Sequence, residues 1–226
     1  MEKLKELKLG KDLVEDKDAK TIARDLLGKI ISFAGKNYLI TVTEAYPADD
    51  YYSYIYRATH NEDGTKKSEK EIKKDSKAYK ILTDKNMVGK FFLYGGMLHL
   101  ACKANKVESE NARVELDNVL IRGAIKIEDN KLIIDENNVN MNFGQGRPTT
   151  LVKALGIHDD NDENLFLLCD RLLSVNEITE SKRIGLGDQD NLDANAKYRF
   201  FISAFNYYTE ENHCKGTTYC SIFHHN

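Results

Sequence analysis

The sequence predicts a single α+β domain in which a largely antiparallel sheet dominates. Two observations carry this. Short β-branched or aromatic runs recur along the chain with turn residues between them, and only three stretches show helical spacing. A chain of 226 residues, 41% hydrophobic and 31% charged, is also long enough to bury one good-sized core, so residues 1–226 are expected to form one domain.

The elements follow in order. Residues 1–17 are mostly charged, and Leu4, Leu7 and Leu9 suggest a short amphipathic arm. From Asp18 to Leu27, Ala19, Ile22, Ala23, Leu26 and Leu27 fall at helical spacing, and Gly28 marks the stop. Lys29–Ala34 and Tyr38–Tyr46 read as a hairpin about the turn Gly35-Lys36-Asn37, with Pro47 closing the second strand. The tyrosine-rich stretch 49–58 follows. His60–Lys80 reads as a loop and then a solvated helix, whose lysines either meet phosphates or form an exposed face interleaved with Glu69 and Glu71. Phe91–Ala104 reads as a strand holding Gly95-Gly96, a mark of a bulge or of close backbone approach. Val119–Ile127 and Lys131–Asp135 read as strands, Thr149–Leu155 as a helix with Pro148 at its start, and Phe166–Val175 and Lys197–Phe205 as the closing strands.

Composition narrows the function less than the fold. Net charge is −3, which neither favours nor excludes nucleic acid, because such binding needs a local patch and not a global sum. The longest apolar runs are far too short for a bilayer, and the charged N-terminus lacks a signal peptide's apolar core, so no membrane partner and a cytoplasmic location are expected, nucleoid-associated or nuclear according to source. Cys102, Cys169, Cys214 and Cys220 are then expected as reduced thiols. Cys214, Cys220, His213, His224 and His225 match no common zinc spacing and read as a polar tail over 206–226. No metal site is expected.

Two charged residues stand out. Glu44 sits where a strand ends, before a proline and a polar aromatic loop, a place where functional groups concentrate. It could equally be structural. Arg122 lies inside the apolar run Val119-Leu120-Ile121-Arg122-Gly123-Ala124, where a charge needs a partner unless the strand is an edge facing water. Glu44 is a specific candidate for that partner. The rings of Tyr46, Tyr51–Tyr56, Phe91, Phe92 and Tyr94 could stack on extruded bases or simply fill a core.

Taken in order, these pieces resemble one family. Ala23-Arg24-Asp25-Leu26-Leu27-Gly28-Lys29, Val42-Thr43-Glu44-Ala45-Tyr46, Phe92-Leu93-Tyr94-Gly95-Gly96-Met97 and Val119-Leu120-Ile121-Arg122 resemble successive motifs of the alkyladenine (3-methyladenine, or methylpurine) DNA glycosylases. So do Pro148–Ile157, Arg183-Ile184-Gly185-Leu186-Gly187 and Tyr198-Arg199-Phe200. The resemblance spans about 19–205. It implies a curved antiparallel sheet with surrounding helices and a protruding hairpin, no metal or cofactor, and a monomer with no obligate protein partner.

The implied activity is base-excision repair. The damaged nucleotide of double-stranded DNA is flipped out, and its N-glycosidic bond is hydrolysed without cutting the backbone. By resemblance, Glu44 activates the water, Arg122 holds carboxylate and water, and Tyr46 and Phe92 stack on the purine. Tyr56 and His60 are the nearest substitutes for a pocket histidine whose spacing falls near Ile55, and Cys102 falls where the family carries a gatekeeping asparagine. The residue that wedges into the DNA falls at Gly95, with Tyr94 beside it; a shift of one in a strand reverses the face. Three readings follow: an active purine-DNA glycosylase, a catalytically weak or inactive damaged-DNA-binding protein of the same fold, or a globular protein with chance motif matches and no salt-dependent DNA binding.

Overall fold

The computed structural model describes residues 6–7, 11–14, 16–102, 114–129, 131–133, 148–157, 167–169, 178–186 and 191–203. Every strand pairing in it is antiparallel. Two long strands, β3 (Lys36–Tyr46) and β6 (Asn118–Glu128), form its spine. Outward from β3 run β2 (Ile30–Phe33), β8 (Leu167–Cys169) and β1 (Glu6–Leu7); outward from β6 run β5 (Met97–Ala101) and β4 (Phe91–Tyr94). Near its end β3 also pairs β10 (Arg199–Ile202), which pairs β9 (Ile178–Ser181), and β7 (Lys131–Ile133) pairs β6. Since β3 serves both β2 and β10, the sheet must fan, and register shifts between Ile40 and Thr43 against β6 supply the bend.

Alternation sorts the side chains onto two faces. Val119, Ile121, Leu98, Leu100, Phe91 and Leu93 join the main core. Helix α2 (Ala19–Leu26) covers that face with Ala19, Ile22, Ala23 and Leu26, all fully buried. Asp18 caps it by accepting from the Thr21 N–H at 2.7 Å. Gly28, at φ +77°, then turns the chain so that its N–H reaches the Ile40 carbonyl at 2.9 Å, a backbone shape a side chain would strain. Helix α5 (Pro148–Leu155) adds Leu151, Val152 and Leu155 to the same core. Each buried aliphatic side chain of this kind contributes about 1.5–3 kcal/mol.

Several local expectations change. Residues 6–7 of the N-terminal arm form an edge strand, and Val14 (in the short helix α1, Lys11–Val14) is buried. The 29–46 hairpin turns at Ala34-Gly35, and Lys36 and Asn37 already pair with β2. Phe91–Ala104 holds two strands, β4 and β5, hinged at Gly95-Gly96, whose φ values of +60° and +72° make a reversal and no bulge. The solvated helix expected before Lys80 is helix α4 (Lys77–Leu82), which starts late and buries Ala78, Tyr79 and Leu82. Helix α3 (Tyr54–Thr59), strand β9 and helix α6 (Leu192–Asn195) carry no pattern read from the sequence. The cysteine- and histidine-bearing tail lies outside the described residues.

Candidate active site

The face of the sheet opposite α2 carries the polar chemistry. One row crosses it in register: Phe92 on β4 pairs His99 on β5, His99 pairs Leu120 on β6, Leu120 pairs Glu44 on β3, and Glu44 pairs Arg199 on β10. Directly paired residues share a face, as do residues two apart on one strand. Glu44, Tyr46, Arg122 and Arg199 therefore converge without any loop having to position them.

Glu44 is fully buried. The Arg122 guanidinium bridges its carboxylate, with Nη1 at 3.2 Å from Oε1 and 3.3 Å from Oε2. The Tyr46 hydroxyl donates to Oε2 at 3.0 Å, and the Ile184 backbone N–H donates to Oε1 at 3.1 Å. A carboxylate in a low-dielectric site requires this kind of pairing, and removing one partner of a buried ion pair costs about 3–5 kcal/mol. The Tyr46 phenol is pushed up, first by burial and then by the Glu44 charge, so it stays protonated and a donor. Burial lowers Arg199 to about 10, partly offset by Glu44; it remains a cation at neutral pH and donates to Ser181 Oγ at 3.1 Å.

Beneath the carboxylate lies a brace that sequence reading missed. Arg183, buried, donates to the Ala45 carbonyl at 3.1 Å, the Asp193 carbonyl at 2.9 Å and Asp50 Oδ2 at 2.6 Å. Its guanidinium also lies 4.6 Å from the centre of the Tyr46 ring. Burial raises the Asp50 carboxyl, with Arg183 pulling the other way. The brace ties β3, the loop after Pro47 and the 183–186 segment together, and so places the Ile184 N–H on Glu44. The only sequence signal for it was the Arg183–Gly187 motif, which names no partner.

His99 was missed too, although a lone polar residue in the apolar run Met97–Ala101 is the same signal that singled out Arg122. It is buried, stacks on Phe92 with centroids 5.2 Å apart, and bonds to Asn118 Oδ1 through Nδ1 at 3.1 Å. Burial lowers it to about 4, so the ring is neutral.

The remaining candidates separate by position. Phe92 shares the row with Glu44 but lies three strand spacings away, roughly 14 Å, and is fully buried. Tyr94, two residues on, shares its face at the hairpin end and packs on Tyr54 at 4.3 Å. Gly95 occupies the turn itself. Cys102 alternates with Leu98 and Leu100 onto the opposite face, inside the main core, where burial pushes its thiol up. Tyr56 and His60 stack on each other at 3.9 Å and line a separate cavity rather than the surroundings of Glu44. Among the described residues no cluster of three His, Cys, Asp or Glu suits a metal ion, and no helix is long and apolar enough to cross a membrane.

The family model for methylpurine-DNA glycosylase matches residues 13–205, which takes in every element of this site. No curated protein sequence matches the chain.

Proposed function

Because the chain belongs to the methylpurine-DNA glycosylase family, whose members act on DNA in base-excision repair, we propose that it hydrolyses the N-glycosidic bond of an alkylated or deaminated purine flipped out of double-stranded DNA. The observation that carries this reading is the Glu44 carboxylate, buried mid-sheet and held on both oxygens by Arg122, Tyr46 and the Ile184 N–H. Breaking this bond builds positive charge on the sugar while water attacks. A carboxylate can take the proton from that water and can offset the developing charge. Arg122 pairs with the carboxylate and aims it, and Tyr46 offers its ring to the purine.

The donors on Glu44 also set a condition for turnover. The Ile184 donor is a backbone N–H, whereas the Arg122 and Tyr46 donors are the ends of side chains. A water at Oε2 competes with these two side-chain donors. The chain works as a monomer and uses no cofactor in this reading.

A second reading, a damaged-DNA-binding protein with little or no activity, draws on the full burial of Glu44 and on Gly95 at the hairpin tip. One experiment separates the two. Duplexes carrying hypoxanthine, and DNA heavily alkylated to contain 3-methyladenine and 7-methylguanine, are incubated with the protein and with Glu44→Gln. Free base and an intact backbone, both dependent on Glu44, support the glycosylase. Lesion-selective binding without release supports the second reading.

A further inference from the structure

A cavity of about 570 Å³ opens beside the Glu44 site. Its volume lies in the roughly 300–1,000 Å³ range of small-ligand pockets. The wall is aromatic on one side. Tyr56 and His60 lie parallel, 3.9 Å apart with a 5° interplanar angle, and the Tyr51 ring is 6.0 Å from Tyr56. Arg57 and Lys67 supply two cations against the single carboxylate of Glu62, and Arg57 lies exposed. The frame is bonded in place: the Lys67 N–H donates to the Thr59 carbonyl and the Asn61 N–H to the Thr65 carbonyl, each at 2.8 Å. Lys67 Nζ then reaches the Arg57 carbonyl at 2.7 Å.

Stacking rings with cations alongside are the chemistry that receives a nucleobase and its phosphate. The geometry points to this cavity as a binding site for one nucleotide, distinct from the place where a base would lie on Tyr46. Position strengthens the assignment. Tyr51, Tyr52 and Leu186 line the cavity and also pack in the cluster around Tyr46. The two places share a wall, so a nucleotide here is a near neighbour of the one presented to Glu44. The inference rests on the glycosylase reading for the strand that delivers the nucleotide; the rings and cations stand without it.

The test uses two probes, dAMP and a single-stranded oligonucleotide containing 2-aminopurine. The protein is expected to quench 2-aminopurine. Tyr56→Leu weakens that binding about 5- to 150-fold, the range for losing one stacked ring, while Tyr56→Phe retains it. The His60 ring NMR signals report dAMP directly. A response to dAMP alone assigns the site to free nucleotide, a response to the oligonucleotide alone assigns it to a strand, and each supports the nucleotide assignment. Unchanged affinity and quenching in Tyr56→Leu, or no response to either probe, overturns it. Base release from a lesion duplex, measured on the same preparations, keeps the two ideas separable. Release with no nucleotide response leaves the reaction standing and removes the cavity site; a nucleotide response with no release does the reverse.

Discussion

Glu44 and Tyr56 sit close together in the chain but in opposite kinds of structure. Glu44 lies mid-sheet, where strand register fixes its neighbours and each carboxylate oxygen is already bonded to protein donors. The Tyr56 cavity is built on a short helix and a tight turn and is lined by rings and charged side chains. Between them runs the 47–53 loop, tied down at Ala48 by Asp117 and at Asp50 by Arg183. The contrast fits a division of labour: the sheet holds reactive groups within fractions of an ångström, and the loop offers binding surface that tolerates variation.

That division can be broken at several points. The largest expected effect is on chemistry: Glu44→Gln lowers single-turnover base release about 10²–10⁴-fold, the usual worth of a positioned general base, while leaving nucleotide binding at the cavity unchanged. Next is the brace. Arg183→Leu strands the buried Asp50 and costs about 3–5 kcal/mol of stability by denaturant melting; an unaltered midpoint would mean the brace does not hold the loop. Tyr46→Phe keeps the ring and removes the donor on Oε2. It loses about 1.5–3 kcal/mol of stability as a hydrogen bond to a charged group, yet keeps base release within about tenfold. A drop as deep as that of Glu44→Gln would make the hydroxyl itself part of the chemistry.

A smaller effect concerns pH. Burial raises Asp117 from 3.8 to about 6, so between those values the folded protein holds the proton more tightly than the unfolded chain, and stability from this group falls as pH rises through the window. His99, lowered from 6.5 to about 4, acts oppositely: its stability is present above 6.5 and is lost as pH falls towards 4. Removing the first leaves the second unopposed. The melting temperature of Asp117→Asn, relative to the intact protein, should therefore drop from pH 6 to pH 4. The smallest effect is at the cavity rim, where Arg57→Gln reduces the slope of log affinity against log salt by about 0.7 for a single strand.

The sequence showed Glu44 and Arg122 because each is a charge whose local setting is unusual for one, at a strand end and inside an apolar run. It showed the main helix and the central strands because their apolar spacing is strong. It hid the brace, since Arg183 and Asp50 lie 133 residues apart and nothing local to either names the other. Strand β9 was silent because Ile-Thr-Glu-Ser is exposed at Ile178 and Glu180 and carries no buried apolar face. Alternation misled nowhere that a register was known: Cys102 moves to the core face because it is three residues beyond His99, an odd step along the chain.

The most direct test of the central claim, that Glu44 and Arg122 act as one catalytic unit, is a double-mutant cycle in single-turnover base release with Glu44→Gln, Arg122→Gln and both together. If the pair is a unit, the double variant is no slower than Glu44→Gln alone, because the arginine acts through the carboxylate. Losses that multiply would contradict the account and give Arg122 a separate role.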